Sequence, residues 1–336
     1  MAGTGVAQDA VVTVFGGSGF VGRHVVRALA QRGWRIRVAS RRPDLAIHLQ
    51  TTGRVGQITA VQANLRYPAS VKAALHGAVA VVNLVGILAE GGRQTFEAVH
   101  SFGTRAVARA AAEAGIDAVV HVSAIGADPE SASTYARSKG RAEATIRETV
   151  PGAVILRPSV VFGPEDDFFN RFGTMARLMP VLPLIGGGAT RFQPVYVGDV
   201  AEAVARALAG DAGGHEPYEL GGPAVRTFRE LMQYVCAVTG RKRLLVPIPF
   251  DVARVPARII ETVNALALGA LPSAFVITRD QVELLRHDNV VTPGATETGR
   301  TLHGLGIEPR ALESVVPSYL YRFRKTGQFD RGRIAS

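Results

Sequence analysis

Cysteine is almost missing from this sequence: Cys236 stands alone among 336 residues. A single cysteine excludes an internal disulfide framework and any cysteine-based zinc site. Lysine is nearly as scarce, since Arg supplies 34 of the 38 basic residues. Long apolar runs are missing too, and none reaches the roughly 20 uncharged residues that a spanning helix requires. The run Thr262–Thr278 is broken by Asn264, Gly269 and Pro272. It reads as an internal hydrophobic helix in preference to one that lies on a membrane or a partner. The opening MAGTGVAQDA has neither an apolar core behind a basic head nor an Arg-rich amphipathic pattern, so no signal or transit peptide is expected. A soluble intracellular protein is the expectation.

Acidic residues are in deficit, with 28 against 38 basic ones and a formal charge of +10. Residues 1–150 hold 17 basic and 10 acidic side chains, so +7 of that charge lies in the first half. Such an excess favours an anionic ligand, an acidic partner or an anionic membrane surface. The tail interleaves Arg322, Arg324, Lys325, Arg331 and Arg333 with Tyr321, Phe323 and Phe329, a texture that single-stranded nucleic-acid sites use. A solvated tail that docks by its aromatics explains it as well, and nucleic-acid binding is not expected. With 47% hydrophobic and 20% charged residues, the chain has the composition of a globular protein and not of a disordered one.

Apolar runs alternate with helical patterns through the first half. Val11–Phe15 is a short β-rich run ending in glycines, and Phe20 to Arg32 reads as a helix. Arg35–Ser40, Ile58–Gln62, Ala78–Val85, Ala118–Ser123 and Ala153–Leu156 read as further strands, with helices over Thr95–Ala114 and Thr134–Thr149. Strands alternating with helices predict a parallel sheet covered on both faces, a doubly wound α/β fold. After Arg157 the texture becomes irregular and rich in Pro and Gly, with helices expected near 200–209 and 228–239. Residues 9–158 are therefore read as the dinucleotide-binding core of Rossmann type. Residues 159–336 are read as a smaller mixed C-terminal lobe for substrate, with returns to the core around 195–210.

Gly16-Gly17-Ser18-Gly19-Phe20-Val21-Gly22 fits both G-x-x-G-x-x-G and G-x-G-x-x-G. Alone such a pattern is weak, but here it follows a strand and opens a helix. One glycine allows the tight turn, one lets backbone approach a pyrophosphate, and one lets helix pack on strand. The second strand speaks to the choice of nucleotide. An NAD site ends that strand with a carboxylate for the ribose 2′-OH, whereas this chain reads Ser40-Arg41-Arg42-Pro43. Guanidiniums suit a 2′-phosphate, so NADP(H) is expected over NAD(H).

Ser123 ends the fifth strand, and Tyr135 and Lys139 stand four apart on the next helix, sharing a face. A phenol exchanges a proton near neutrality only when a neighbouring cation lowers its pKa. Lys139 would be that cation and Ser123 would hold the substrate oxygen. The composition, with 7 Tyr and 4 Lys, predicts only about 0.08 Tyr-x-x-x-Lys pairs by chance.

These residues resemble the short-chain dehydrogenase/reductase superfamily. Within it the chain is similar to the nucleotide-binding accessory subunit of respiratory complex I and its bacterial homologues. The stretches VTVFGGSGFVGRHVV, VVNLVGIL, VVHVSAIGAD, YARSKGRAE, LRPSVVFGPEDDFFNRF, RFQPVYVGDVA and TRDQVELLRHDNVV carry that resemblance. It implies that Gly16, Ser18, Gly19, Phe20 and Val21 meet the pyrophosphate and Arg41 the adenosine phosphate. It further implies that Asn64 and Leu65 flank the adenine, and that Leu84, Val85 and Gly86 line the ribose. Tyr135 and Lys139 would hold the nicotinamide ribose, with Pro158 and Val160 near the ring. Two roles follow: an NADPH-holding partner of complex I, or a free-standing NADP-dependent oxidoreductase using Ser123, Tyr135 and Lys139. Ser123 and Tyr135 lie only 12 residues apart, as in small ketoreductases, which counts against epimerase or dehydratase chemistry. A cytoplasmic location is expected, free or peripheral at the inner face of the membrane.

Other polar residues read as structural. Asp199, in Gly198-Asp199-Val200-Ala201-Glu202, looks like a helix N-cap, and Glu165-Asp166-Asp167 like a solvated loop. The eight histidines form no ligand pair and no metal is expected. Cys236 reads as core packing. Arg171, Arg177 and Arg191 either face an acidic substrate group or are surface charge.

Overall fold

The computed structural model describes residues 10–213, 216–252, 278–325 and 327. The apolar run Thr262–Thr278, except its last residue, and the tail residues Phe329, Arg331 and Arg333 lie outside them. In chain order the elements begin with β1 (Val11–Phe15), α1 (Phe20–Gln31), β2 (Arg35–Ser40), β3 (Ile58–Gln62) and α2 (Pro68–Leu75). Then come β4 (Ala80–Asn83), α3 (Phe102–Glu113), β5 (Ala118–Val122), α4 (Thr134–Thr149) and β6 (Val154–Pro158). The next are β7 (Val161–Phe162), α5 (Phe168–Leu178), β8 (Val181–Ile185), β9 (Arg191–Phe192) and β10 (Val195–Tyr196). The series closes with α6 (Val197–Leu208), β11 (Tyr218–Leu220), β12 (Arg226–Thr227), α7 (Phe228–Val238) and β13 (Leu244–Ile248), followed by short helical turns.

The chain divides into two units. The first comprises residues up to Pro158 together with Val197–Leu220 and Val291–Glu308. Its sheet has seven strands in the order β3-β2-β1-β4-β5-β6-β11, every pair parallel. The order reverses between β1 and β4, the place where open α/β sheets bind ligands beyond their carboxyl ends. Alternation along β1 assigns the two faces. Val14 approaches Gly17, itself close to Val26 of α1, while Thr13 hydroxyl donates to the Ala74 carbonyl of α2 at 2.9 Å. Helices α2, α3 and α4 pack side by side over a core that includes Phe15, Val81, Val107, Val119, Ile146 and Ile155. On the other face α1 packs on α6. Burying each such aliphatic side chain stabilises the fold by about 1.5–3 kcal/mol.

Elements of the first unit differ from the sequence reading at several points, among them α2, for which no helix was expected. The helix expected over Thr95–Ala114 is split, because Glu97–Ser101 forms a π-helical turn before α3 begins. Pro43–Thr52, past the end of β2, is a 3₁₀ segment. The seventh strand, β11, was not anticipated: three residues carry no periodicity to read.

The second unit comprises Ser159–Tyr196, Gly221–Val290 and the residues from Pro309 onward. It holds three two-stranded pairs, β10 with β7, β12 with β9 and β13 with β8. Its core is aromatic, with Phe162, Phe169, Phe172, Phe228 and Tyr319 buried and half-buried Cys236 packed against them. Two expectations are corrected here and in α6. Asp166 is not solvated but 3% exposed. The turn at Gly163-Pro164 folds it inward, where it accepts from the Gly163 and Asn170 amides at 3.1 and 3.0 Å and from the Tyr319 hydroxyl. Asp199 is not the N-cap of its helix, for α6 already begins at Val197 and Asp199 lies buried in the first turn.

Candidate functional site

The site is built on the carboxyl ends of the first unit's strands. Gly16 has φ +79°, and a Cβ there would stand 3.2 Å from the Leu84 carbonyl carbon and the Val85 amide. A Cβ at Gly22 would come within 2.2 Å of the Gly16 carbonyl oxygen and 2.6 Å of Gly17 Cα, which no side chain tolerates. Gly19 caps α1 without a side-chain hydrogen bond, and the first turn carries no acid. The first-turn amides and the positive end of the helix dipole therefore face outward for an anion. Phe20 and Val21, half-buried, open that helix.

Ser18 hydroxyl lies 3.4 Å from Ser40 hydroxyl, linking this loop to the end of β2. Arg41 and Arg42 follow and differ in their commitments. Arg42 pairs with Asp44 at 2.8 Å. Arg41 is exposed and has no ion pair or hydrogen-bonded side-chain partner among the described residues. After β3, the Asn64 carboxamide accepts from the Arg66 amide at 3.1 Å. The Leu65 side chain is buried against Gly103 of α3, which leaves its backbone as the part available to a ligand.

Beyond β4, Leu84 amide donates to the Phe15 carbonyl at 3.0 Å, and Val85 amide to the Asn83 carboxamide at 3.2 Å. A Cβ at Gly86 would sit 3.3 Å from Lys139 Nζ and 3.5 Å from His100 Nε2, so the loop runs directly over both. Lys139 is 5% exposed and donates to the Val122 carbonyl at 3.2 Å, beside Ser123. Burial pushes its pKa down to about 8, with Glu143 pulling the other way. Ser123 hydroxyl is buried without a hydrogen-bond partner among the described residues, which for a native buried hydroxyl is the exception. Ser123 amide bonds the Leu156 carbonyl, and Pro158 carbonyl accepts from Ile125 at 3.0 Å, so the ends of β5 and β6 lie together. Val160 belongs to the second unit, its amide held by the Asn289 side chain at 3.1 Å.

Tyr135 is half-buried on α4, whose N-cap Ser133 accepts from the Ala136 amide. Its ring stands edge-on to Phe96 and His100, at 5.7 and 5.5 Å between centroids. His100 was missed by the sequence reading. Ser138 hydroxyl donates to the Tyr135 carbonyl at 2.7 Å, so it accepts from His100 Nδ1 at 2.8 Å. His100 Nε2 in turn accepts the Ile87 amide at 3.0 Å. The imidazole is thus a fixed neutral tautomer, and burial with the charge of Lys139 pushes its pKa down to about 3. It joins the helix of Tyr135 to the loop after Gly86.

His121, also missed, accepts from Asn83 carboxamide at 3.2 Å, and its Nε2 is buried without a partner among the described residues. Burial, then the charge of Lys139, holds its pKa well below the ordinary value. A histidine inside the apolar run Ala118–Val122 was the available signal. For His100 there was none, since the π-helical turn moves it off the face that a 3.6-residue period assigns.

Behind Lys139, buried Glu143 is gripped by Arg157 through two bonds of 2.9 and 2.7 Å. Among the described residues no group of three or more His, Cys, Asp or Glu side chains is placed to hold a metal ion, and no helix is long and apolar enough to cross a membrane.

The residues present fit a bound dinucleotide: an uncapped helix start under a glycine turn, an uncommitted guanidinium past the end of β2, and a buried hydroxyl beside Lys139 with no partner among the described residues. Comparison with known proteins agrees. The profile of the NAD dependent epimerase/dehydratase family matches residues 12–221. NADH dehydrogenase (ubiquinone) 1 alpha subcomplex subunit 9, mitochondrial, of Arabidopsis thaliana is 34% identical over 94% of this chain and 79% of its own length. A ceramide reductase of Caulobacter vibrioides is 35% identical over 58% of this chain and 61% of its own. The NADPH-dependent quinone oxidoreductase QOR2 of Escherichia coli, solved with NADPH, shares the fold with a TM-score of 0.69 at 18% identity, over 92% of this chain and 99% of that one. The chain belongs to the NAD dependent epimerase/dehydratase family, an NAD(P)-binding branch of the short-chain dehydrogenase/reductase superfamily.

Proposed function

We propose that this protein holds NADP(H) as a structural part and associates with respiratory complex I, the NADH:quinone oxidoreductase, as an accessory subunit or assembly partner. The observation that carries the reading is near-full-length similarity to the complex I subunit of Arabidopsis thaliana. NADP(H) is favoured over NAD(H) because β2 ends at Ser40 with Arg41 directly after it, and the carboxylate that follows in sequence, Asp44, is taken by Arg42. Gly16, Ser18, Gly19, Phe20 and Val21 would hold the pyrophosphate, and Arg41 the 2′-phosphate. Asn64 and the Leu65 backbone would flank the adenine, with Leu84, Val85 and Gly86 along the ribose. Tyr135 and Lys139 would hold the nicotinamide ribose, with Pro158 at the ring. Bound ligand stabilises the folded state by mass action, by about 2.7 kcal/mol at a hundredfold excess over its Kd. Association with the complex would bring this chain to the inner face of the cytoplasmic membrane.

A second reading, an NADP-dependent oxidoreductase, is favoured by the orphaned Ser123 hydroxyl beside Lys139 and by the Caulobacter relative. Nicotinamide, when bound, supplies hydride exchange. Ser123 would hold a carbonyl or alcohol oxygen, Tyr135 would move the proton at its hydroxyl, and cationic Lys139 would favour the phenolate. The two readings separate on two variants. The structural role expects Arg41→Glu to lower NADH:quinone oxidoreductase activity of the membranes while Tyr135→Phe, which keeps the ring and removes one neutral hydrogen bond worth about 1 kcal/mol, leaves it nearly unchanged. A substrate-dependent loss of NADPH absorbance that disappears in Tyr135→Phe contradicts a purely structural role.

A further inference from the structure

The second unit gathers cations where its helices end. Arg241 Nε donates to the Phe323 carbonyl at 2.7 Å, and Arg243 Nε to the Ala176 carbonyl of α5 at 2.6 Å. Arg324 Nε donates to the Val238 carbonyl, the last of α7, at 2.8 Å. Orphan carbonyls at helix ends attract cations, and one cation for each end satisfies them. Here Arg177, Lys242 and Lys325 stand exposed alongside, and none of the six has an acidic partner among the described residues. The pinned guanidiniums are held by Nε, with Arg243 also donating Nη1 to the Lys242 carbonyl at 3.2 Å; the terminal nitrogens of Arg241 and Arg324 have no hydrogen-bond partner among the described residues. Their crowding has a cost: burial and then the charges of Arg243 and Arg177 lower the pKa of Arg241. Beside them, Leu178 at the end of α5 and Leu244 at the start of β13 project 62% and 67% exposed. Leu244 amide bonds the Pro180 carbonyl, so both leucines border the same end of the unit.

We infer that this face of the second unit, with Arg177, Arg241, Lys242, Arg243, Arg324 and Lys325 around Leu178 and Leu244, docks on an anionic lipid bilayer. A bilayer offers a plane of phosphates with hydrocarbon just beneath, and cations interspersed with protruding aliphatic side chains match that layering. A purely acidic surface would meet the cations but leave Leu178 and Leu244 with no apolar layer to enter.

The test is co-sedimentation of the full chain with vesicles of phosphatidylcholine plus phosphatidylglycerol, and with vesicles of phosphatidylcholine alone. The expected result is partition onto the anionic vesicles only, lost as salt is raised. Lys242→Glu with Lys325→Glu touches only exposed, unbonded side chains and lowers partition by at least about 30-fold. Leu178→Ser with Leu244→Ser lowers it by about tenfold at unchanged charge. Both double variants keep wild-type thermal unfolding and nucleotide affinity, which separates this face from the nucleotide site. Failure of the wild type to bind anionic vesicles overturns the inference, as does loss of binding only when Arg105 and Arg109 on α3 are reversed. Equal binding to polyglutamate, insensitive to the leucine changes, overturns it in favour of an acidic protein partner.

Discussion

Replacing Arg41 by alanine isolates the contact that would choose the nucleotide. The side chain is exposed and uncommitted, so its loss leaves the fold intact and the effect reports on binding alone. A hydrogen bond to a charged group is worth about 1.5–3 kcal/mol, or roughly 10- to 150-fold in Kd. Exposure and salt screening place this one near the lower end, so NADPH affinity falls by about 10- to 50-fold. NADH has no 2′-phosphate, and its affinity changes by less than about twofold. Arg42→Ala is the control, since Arg42 and Asp44 form an exposed pair with side chains 69% and 56% accessible, worth little to fold or ligand. The assay is a fluorescence titration of both nucleotides at two ionic strengths. If the wild type binds NADH and NADPH alike, or if Arg41→Ala weakens both by one factor, Arg41 does not read the 2′-phosphate and the reasoning fails.

Other perturbations have signs set by the structure. Gly22→Ala forces a methyl to within 2.2 Å of the Gly16 carbonyl oxygen; it should lower the unfolding temperature and abolish nucleotide binding, and a wild-type melting curve would refute the close packing of α1 on the loop. Glu143→Gln breaks the two-bond grip on Arg157, which keeps Glu219 at 3.8 Å and the Ala127 carbonyl at 3.3 Å, and should cost about 1.5–3 kcal/mol in urea unfolding. Glu113→Gln, which removes the exposed partner of Lys72, should cost less than about 1 kcal/mol; equal losses would contradict the burial argument. In acid, the unfolded chain binds a proton at His100 near pH 6.5 while the folded one resists to about 3. Stability is therefore lost as pH falls through that window, and His121 adds in the same direction. The urea midpoint of His100→Gln should fall less steeply below pH 6.5 than that of the wild type, and parallel curves would exclude His100 as a source of acid sensitivity.

What was legible in the sequence and what was not follow from range. Arg35–Ser40, Ile58–Gln62 and Thr134–Thr149 are strands and a helix with the bounds expected, because alternation, apolar runs and helical patterning are local signals. The glycine loop was legible for the same reason: its spacing is written in seven consecutive residues. Residues whose roles come from distant partners were not. Asp166 looked like part of an acidic loop, yet it is buried because Tyr319 meets it from the far end of the chain. His100 became visible only once a π-helical turn aimed it at Ser138 and Ile87. β11 was hidden because three residues joining the sheet edge beside β6 carry no pattern of their own.

The most direct measurement is a native gel of mildly solubilised membranes, probed for this chain beside NADH:quinone oxidoreductase activity. The account predicts co-migration with the active band for the wild type and for Tyr135→Phe, and departure from that band for Arg41→Glu. A chain that runs alone in the soluble fraction, with the active band unchanged in its absence, would contradict the association and leave the oxidoreductase reading in its place.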